Sequence, residues 1–221
     1  LSQHHPAGIG YHFIDLVNFI DDFCSSLGAA KIDIVGHSMG GAAATLFAAA
    51  CPEKIKNLCL IDTLGPLIDS ANNTTVRLRD HLRARSGRSN PGRKFSNIGD
   101  AIDYRTNASV IPTSKIAATE IVKRGLRKMG EVYEWTHDQR LKLPSPYRMT
   151  QDQLNQVLSD IQCPVLVIRA EPGIALPESE WHQRLSHVKN CQWISLEGNH
   201  HIHIDQPDDV GAAIREFLIP R

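Results

Sequence analysis

The sequence predicts an α/β fold, a mostly parallel sheet with flanking helices, opened in the middle by a helical insertion. Three observations carry that prediction. Short apolar runs of strand length alternate with segments of helical spacing near both ends of the chain. The pentapeptide GHSMG joins one such run directly to an Ala-rich segment. From Gly65 the texture turns polar and irregular, and alternation resumes only after 150. The expected organisation is therefore a core of 1–64 and 151–221 around an insertion of 65–150.

Taken in order, 11–27 places Phe13, Leu16, Val17, Ile20, Phe23, Cys24 and Leu27 on one helical face, and Gly28 stops it. KIDIV (31–35) reads as a short strand, AAATLFAAA (42–50) as a closely packed helix ended by Pro52, and NLCLID (57–62) as a second strand. Within 72–115, Arg77, Arg79, Arg83, Arg85, Arg88, Arg93 and Lys94 cluster around SGRSNPG. No aromatic residues interleave with those charges, so the reading is a solvated helix and loop, not a nucleic-acid surface. A helix is expected over 114–129. Another follows Thr150, which forms a capping box with Gln153 and buries Leu154, Val157, Leu158 and Ile161. PVLVI (164–168) and CQWISL (191–196) are strands, separated by a helix over 178–188 with Trp181, Leu185 and Val188 on one side. The last helix opens at Pro207, with Asp208 and Asp209 at its positive end and Val210, Ile214, Phe217 and Leu218 facing the core.

Composition narrows the classes. A hydrophobic content of 42% over 221 residues supports a sizeable core. Lys plus Arg and Asp plus Glu balance at 24 each, which removes any global pull toward nucleic acid, membrane or acidic partners. The 5 cysteines have no regular spacing, and Cys24, Cys51, Cys59 and Cys163 sit in or beside apolar segments, so they read as small buried thiols of a reducing compartment. No apolar run reaches membrane-spanning length and no signal peptide is visible, so the expected location is cytoplasmic. The chain begins LSQHHPAG, without Met, which reads as a processed or partial sequence.

GHSMG, Gly36 to Gly40, fits G-x-S-x-G between a strand and a helix. A turn that sharp forces the Ser into an unfavourable backbone conformation and lifts its hydroxyl clear of the sheet. Side chains two positions to either side are expected to collide, hence Gly36 and Gly40. Ser38 is thus the candidate nucleophile, and the Met39 N–H, at the helix N-terminus, a candidate oxyanion donor.

With this context the chain resembles the α/β-hydrolase superfamily. The stretch IDIVGHSMGGAAATLFAAACPEKIKNLCLIDTLGP resembles its strand, elbow, helix and next strand, and PVLVI, GNHHIHIDQP and the last helix match its C-terminal half. EWTHDQRLKLPSPYRMTQDQL resembles the cap of a subgroup related to serine hydrolase-like (kraken-type) proteins. The resemblance implies that the first four strands, and a His-Gly loop supplying a second oxyanion N–H, lie upstream of Leu1. KIDIV would then be left as an open sheet edge.

The resemblance also implies a base in the loop after the last strand. Laid on the family pattern, His200 is that base, His201 the runner-up, and His203 packs at the start of the last helix. Three His in four residues could also ligate a metal, but no Cys or carboxylate spacing supports it. The family's usual acid position, aligned on Pro177, holds Gly173. Two other carboxylates are available. Glu171 lies two residues earlier, and Asp62 ends the strand after the nucleophile helix, where some members of the superfamily keep their acid. Asp62 is preferred, Glu171 is the alternative, and a site with no acid stays open.

The implied function is hydrolysis of an ester-like acyl bond in a small-molecule substrate, with no metal or organic cofactor, no nucleic acid and no membrane span. A Ser in the elbow disfavours alkyl dehalogenation, whose nucleophile is normally Asp. The alternative is a non-catalytic binding protein of the same fold, or an inactive fragment.

Overall fold

The structure is a computed structural model and describes residues 4–6, 10–86, 92–107 and 111–219. In chain order its elements are α1 (Phe13–Leu27), β1 (Ile32–His37), α2 (Ser38–Ala50), β2 (Ile55–Ile61), α3 (Thr74–Ser86), β3 (Lys94–Phe95), α4 (Ile98–Asn107), α5 (Lys115–Gly125), β4 (Leu126–Met129), β5 (Val132–Trp135), α6 (Gln151–Asp160), β6 (Val165–Pro172), α7 (Glu178–Leu185), β7 (Cys191–Gly198), α8 (Ile202–Asp205) and α9 (Pro207–Leu218). The chain divides into two units: Phe13–Ser70 with Arg148–Arg221, and Leu1–His12 with Ala71–Tyr147.

The first of these units is built on a parallel four-stranded sheet in the order β1-β2-β6-β7. Its strands bury residues on both faces, as parallel sheets do. Leu58, Leu60, Val165 and Val167 point to one side, where they meet Cys24 of α1, Ala44, Phe47 and Ala48 of α2, Leu154 and Leu158 of α6, and Trp181 of α7. Cys59, Ile61, Leu166 and Ile168, one residue out of phase, face Ile202 of α8 and Val210, Ile214, Phe217 and Leu218 of α9. A fully buried Leu or Phe is worth about 1.5–3 kcal/mol, so this two-sided core stabilises the sheet whose strand ends carry the site. The predicted capping box forms, with the Thr150 side chain on the Gln153 N–H and the Gln153 side chain on the Thr150 N–H. Among the described residues β1 pairs only with β2, and Val35 is exposed on the α9 side of the sheet.

The register positions the site. His37 lies opposite Ile61 and Ile61 opposite Ile168. The carboxyl ends of β1 and β2 are therefore level, and Ser38 and Asp62 leave the sheet side by side.

The other unit is not wholly helical. α3 is an exposed Arg-bearing helix, with Arg79, Arg83 and Arg85 outward and His81 buried against the Pro144 carbonyl at 2.9 Å. The SGRSNPG segment, with Arg88, lies outside the described residues apart from its first and last positions. The expected helix over 114–129 ends at Gly125. Residues 126–129 instead form β4, joined to β5 by a two-residue turn at Gly130 and Glu131 with Gly130 at φ 63°, and β5 also pairs with β3. Val132, Tyr133 and Trp135 favour an extended chain, and Gly130 supplies the positive φ such a hairpin needs, which overrides the helical propensity of LRKM. The N-terminal segment is held within this unit. Arg140 donates to the carbonyls of His5 (2.6 Å) and Pro6 (2.8 Å) while pairing with Asp138, and Tyr11 donates to Asp138 at 3.1 Å.

All five cysteines are free thiols. Burial pushes Cys59 up to about 12 and Cys191 to about 11. Among the described residues no helix is long and apolar enough to cross a membrane.

Candidate active site

Ser38 opens α2 directly after β1 and sits at φ 53°, in the left-handed region that L-residues avoid. The turn is tight enough to specify its neighbours. A Cβ on Gly36 would stand 2.5 Å from the Gly41 Cα, and one on Gly41 would stand 2.7 Å from the Gly36 carbonyl. Gly40 is different, because a Cβ there meets nothing within 4 Å. The expected clash at Gly40 is therefore corrected: the close approach pairs Gly36 with Gly41, one residue further on. Met39 follows Ser38 in the first turn of α2, where backbone N–H groups have no intrahelical acceptor.

The Ser38 hydroxyl lies 2.7 Å from His200 Nε2, and His200 Nδ1 lies 2.6 Å from Asp62 Oδ2. A carboxylate can only accept, so Nδ1 carries the proton and Nε2 presents its lone pair to Ser38. Asp62 is fully buried and His200 nearly so. Two more donors hold the carboxylate, the Ile174 N–H at 2.7 Å and the Ala170 N–H at 3.2 Å. Asp62 itself is at φ 48°, and its own N–H donates to the Ile168 carbonyl at 2.7 Å. Two of the three groups in this relay thus sit on strained backbone, a cost of order 1–3 kcal/mol each that the surrounding sheet must offset.

Gly173 lies against Asp62. It has φ 47°, and a Cβ there would stand 2.7 Å from both Asp62 carboxylate oxygens. The space a side chain at 173 would need is filled by the carboxylate of Asp62. Glu171 is turned elsewhere, pairing with Arg169 at 3.2 Å and accepting from the Ser195 hydroxyl at 3.1 Å, exposed and outside the relay. Of the two alternative acids, the structure brings Asp62 to the imidazole and not Glu171. Of the two alternative bases, it is His200 whose ring reaches Ser38.

Three further features had no signal in single residues. The His37 Nε2–H donates to the His200 carbonyl at 2.7 Å, tying the elbow to the base loop. Burial pushes the His37 ring down to about 4, against the opposing effect of that hydrogen bond. His203 is lowered too, chiefly by burial, and its ring centroid lies 4.3 Å from that of His37. Arg184 on α7 is almost wholly buried. It donates to the Leu64 carbonyl at 2.8 Å and to Glu180 at 2.6 Å, which fixes the chain just beyond Asp62. An i, i+4 Glu–Arg pair on a helix normally reads as a surface bridge, so nothing in the sequence marked it as an anchor.

A strained Ser between strand and helix, a buried carboxylate–imidazole pair aimed at it, and a parallel sheet with helices on both faces together define a class of protein. The family described as alpha/beta hydrolase fold matches residues 1–207, and the chain belongs to it. Among individual proteins, it is similar to the serine hydrolase-like protein of Danio rerio, with 26% identity over all of this chain and 71% of that protein. A serine hydrolase-like protein of Dictyostelium discoideum is also 26% identical, over 99% of this chain and 64% of its own length. The crystal structure of the hypothetical protein PA1622 from Pseudomonas aeruginosa PAO1 superposes with a TM-score of 0.88 at 31% identity, covering 98% of this chain and 76% of that one. The chain thus spans between 64% and 76% of the lengths of these three relatives.

Proposed function

We propose that the protein is a serine hydrolase cleaving an ester-like acyl bond, a carboxylic ester or related group, in a small molecule. The observation that carries this reading is the continuous relay Ser38–His200–Asp62, with bonds of 2.7 and 2.6 Å. The names of the serine hydrolase-like relatives support the same class.

In this reading Ser38 Oγ attacks the acyl carbon while its proton passes to His200 Nε2. The carbonyl oxygen becomes an oxyanion and the Met39 N–H donates to it. Asp62 stabilises the imidazolium across the Nδ1 bond and keeps the ring in the productive tautomer. His200 then gives the proton to the departing alkoxide, leaving an acyl group on Ser38. Water attacks that group, and its proton follows the same route through His200, so Ser38 is regenerated as a hydroxyl.

A fluorophosphonate probe tests the reading, because it phosphonylates only an activated serine. The chain is expected to be labelled at Ser38 and Ser38→Ala to be unlabelled, with turnover of a short acyl ester falling by about a millionfold. A folded protein that takes no label at Ser38 would instead be a binding protein on this scaffold.

A further inference from the structure

We propose that His37, His201 and His203 form a binding site for one transition-metal ion, with Zn²⁺ the first candidate, beside the Ser38–His200–Asp62 relay and separate from it. One ring nitrogen from each of the three residues lies within 4.8 Å of the other two. Imidazole nitrogens around a tetrahedral ion, with bonds near 2.1 Å, stand roughly 3.4 Å apart, so a modest turning of the rings closes the site. An all-imidazole donor set suits zinc, copper or nickel and not calcium or magnesium.

The surrounding structure already does part of what a metal site requires. A ligating histidine normally donates its second ring nitrogen to a carbonyl or carboxylate, which fixes its tautomer and orientation. His37 has such a bond: its Nε2–H donates to the His200 carbonyl, so the ring's lone pair sits on Nδ1 and an ion would have to take that atom. His203 supplies a second observation. Among the described residues its buried Nδ1 has no hydrogen-bond partner, and a bound ion is one way such a group is completed. Ile202, which separates His201 from His203, is fully buried in the core against the sheet, so the two residues flank an anchored position. The rings already crowd together, at 4.3 Å for His37 with His203 and 5.2 Å for His37 with His201. None of this depends on whether Ser38 turns over an ester.

The test is calorimetric titration of the purified chain with ZnCl2 in a non-chelating buffer, repeated on His203→Gln and on the His201→Gln, His203→Gln double variant. The expected result is saturable uptake of one ion by the wild type. Affinity should fall at least about tenfold in His203→Gln, the scale on which even outer-shell partners act. It should fall further in the double variant, while His182→Gln, outside the cluster, binds as the wild type does. Cobalt(II) gives a readout that needs no variant, since a site of nitrogen ligands of low coordination number produces intense visible d–d bands. No stoichiometric zinc uptake, a weak octahedral cobalt spectrum, or unchanged affinity in a folded His203→Gln protein would each overturn the site.

Discussion

The elbow and the acid corner supply the two halves of one hydrogen-bonded chain, Ser38–His200–Asp62, but are built in opposite ways. The elbow is local. Six consecutive residues, Gly36 to Gly41, contain the proposed nucleophile Ser38, its strained φ and both glycines whose close approach makes the turn possible. The acid corner is assembled from distant pieces: Asp62 after β2, the N–H groups of Ala170 and Ile174 around the end of β6, and His200, 138 residues from its carboxylate. In the elbow, strain follows from one turn. In the acid corner, Asp62 at φ 48° and Gly173 at φ 47° accommodate each other, so neither conformation makes sense alone.

The sharpest way to break the comparison is to remove the acid. Asp62→Asn is expected to lower kcat by about ten-thousandfold with the fold intact, the scale known for a triad acid made neutral. Glu171→Gln is expected to leave kcat within about twofold, as befits an exposed pair with Arg169. If the two variants behave alike, the acid corner is not the one described. The elbow's steric logic gives the next largest effect. Gly36→Ala drives a methyl into the Gly41 backbone and should cost about 3 kcal/mol or more, read as a shift in denaturant midpoint. Gly40→Ala should be neutral or stabilising by up to about 1 kcal/mol, since it replaces an uncrowded helical glycine. Equal losses at both positions would restore the symmetric elbow that the motif alone suggests.

Gly173→Ala links the two regions. The added methyl meets the Asp62 carboxylate and the backbone must hold φ 47°, so both stability, by about 1–3 kcal/mol, and kcat should fall. A loss of stability with unchanged kcat would mean that Asp62 tolerates displacement. The smallest effect expected is a pH dependence of stability. The folded His37 value of about 4 lies below the ordinary 6.5, chiefly because burial disfavours the charged ring. As the pH falls, the unfolded chain therefore takes up the proton first. This contribution is fully present above about 6.5 and is lost as the pH falls toward 4. Denaturant midpoints measured between about pH 7.5 and 4.5 should decline, and His37→Asn should flatten part of that decline, with His203 contributing the same sign.

The same contrast explains what was legible in the chain. The elbow could be read because its chemistry and its sterics share one short window. Even so, the motif ends one residue short of the steric partner, since only the folded turn shows that Gly41 and not Gly40 faces Gly36. The core strands were legible because a parallel sheet buried on both faces leaves continuous apolar runs such as LCLI and VLVI. The candidate acid was legible only through the family resemblance: a glycine at 173, where the pattern usually has its acid, moves attention to Asp62 without showing that the two residues fill the same space. The antiparallel sheet of the insertion was missed because LRKM is an adequate helix and becomes a strand only when Tyr133 and Trp135 pack beside Phe95. Gly130 followed by an alternating VYEW was the available hairpin signal.

The distribution of the thiols has a practical consequence. Cys24, Cys51, Cys59, Cys163 and Cys191 all fall within Phe13–Ser70 and Arg148–Arg221, and burial raises the thiol pKa at every one of them. Alkylation needs an accessible thiolate, so the buried Cys24, Cys59 and Cys163 resist modification while the unit stays folded, and the half-buried Cys51 and Cys191 are less protected. Trp135 and Tyr133 lie in the other unit. Trapping of Cys24, Cys59 and Cys163 is therefore a built-in clock for the opening of the unit that carries Ser38, and it is blind to events within Ala71–Tyr147.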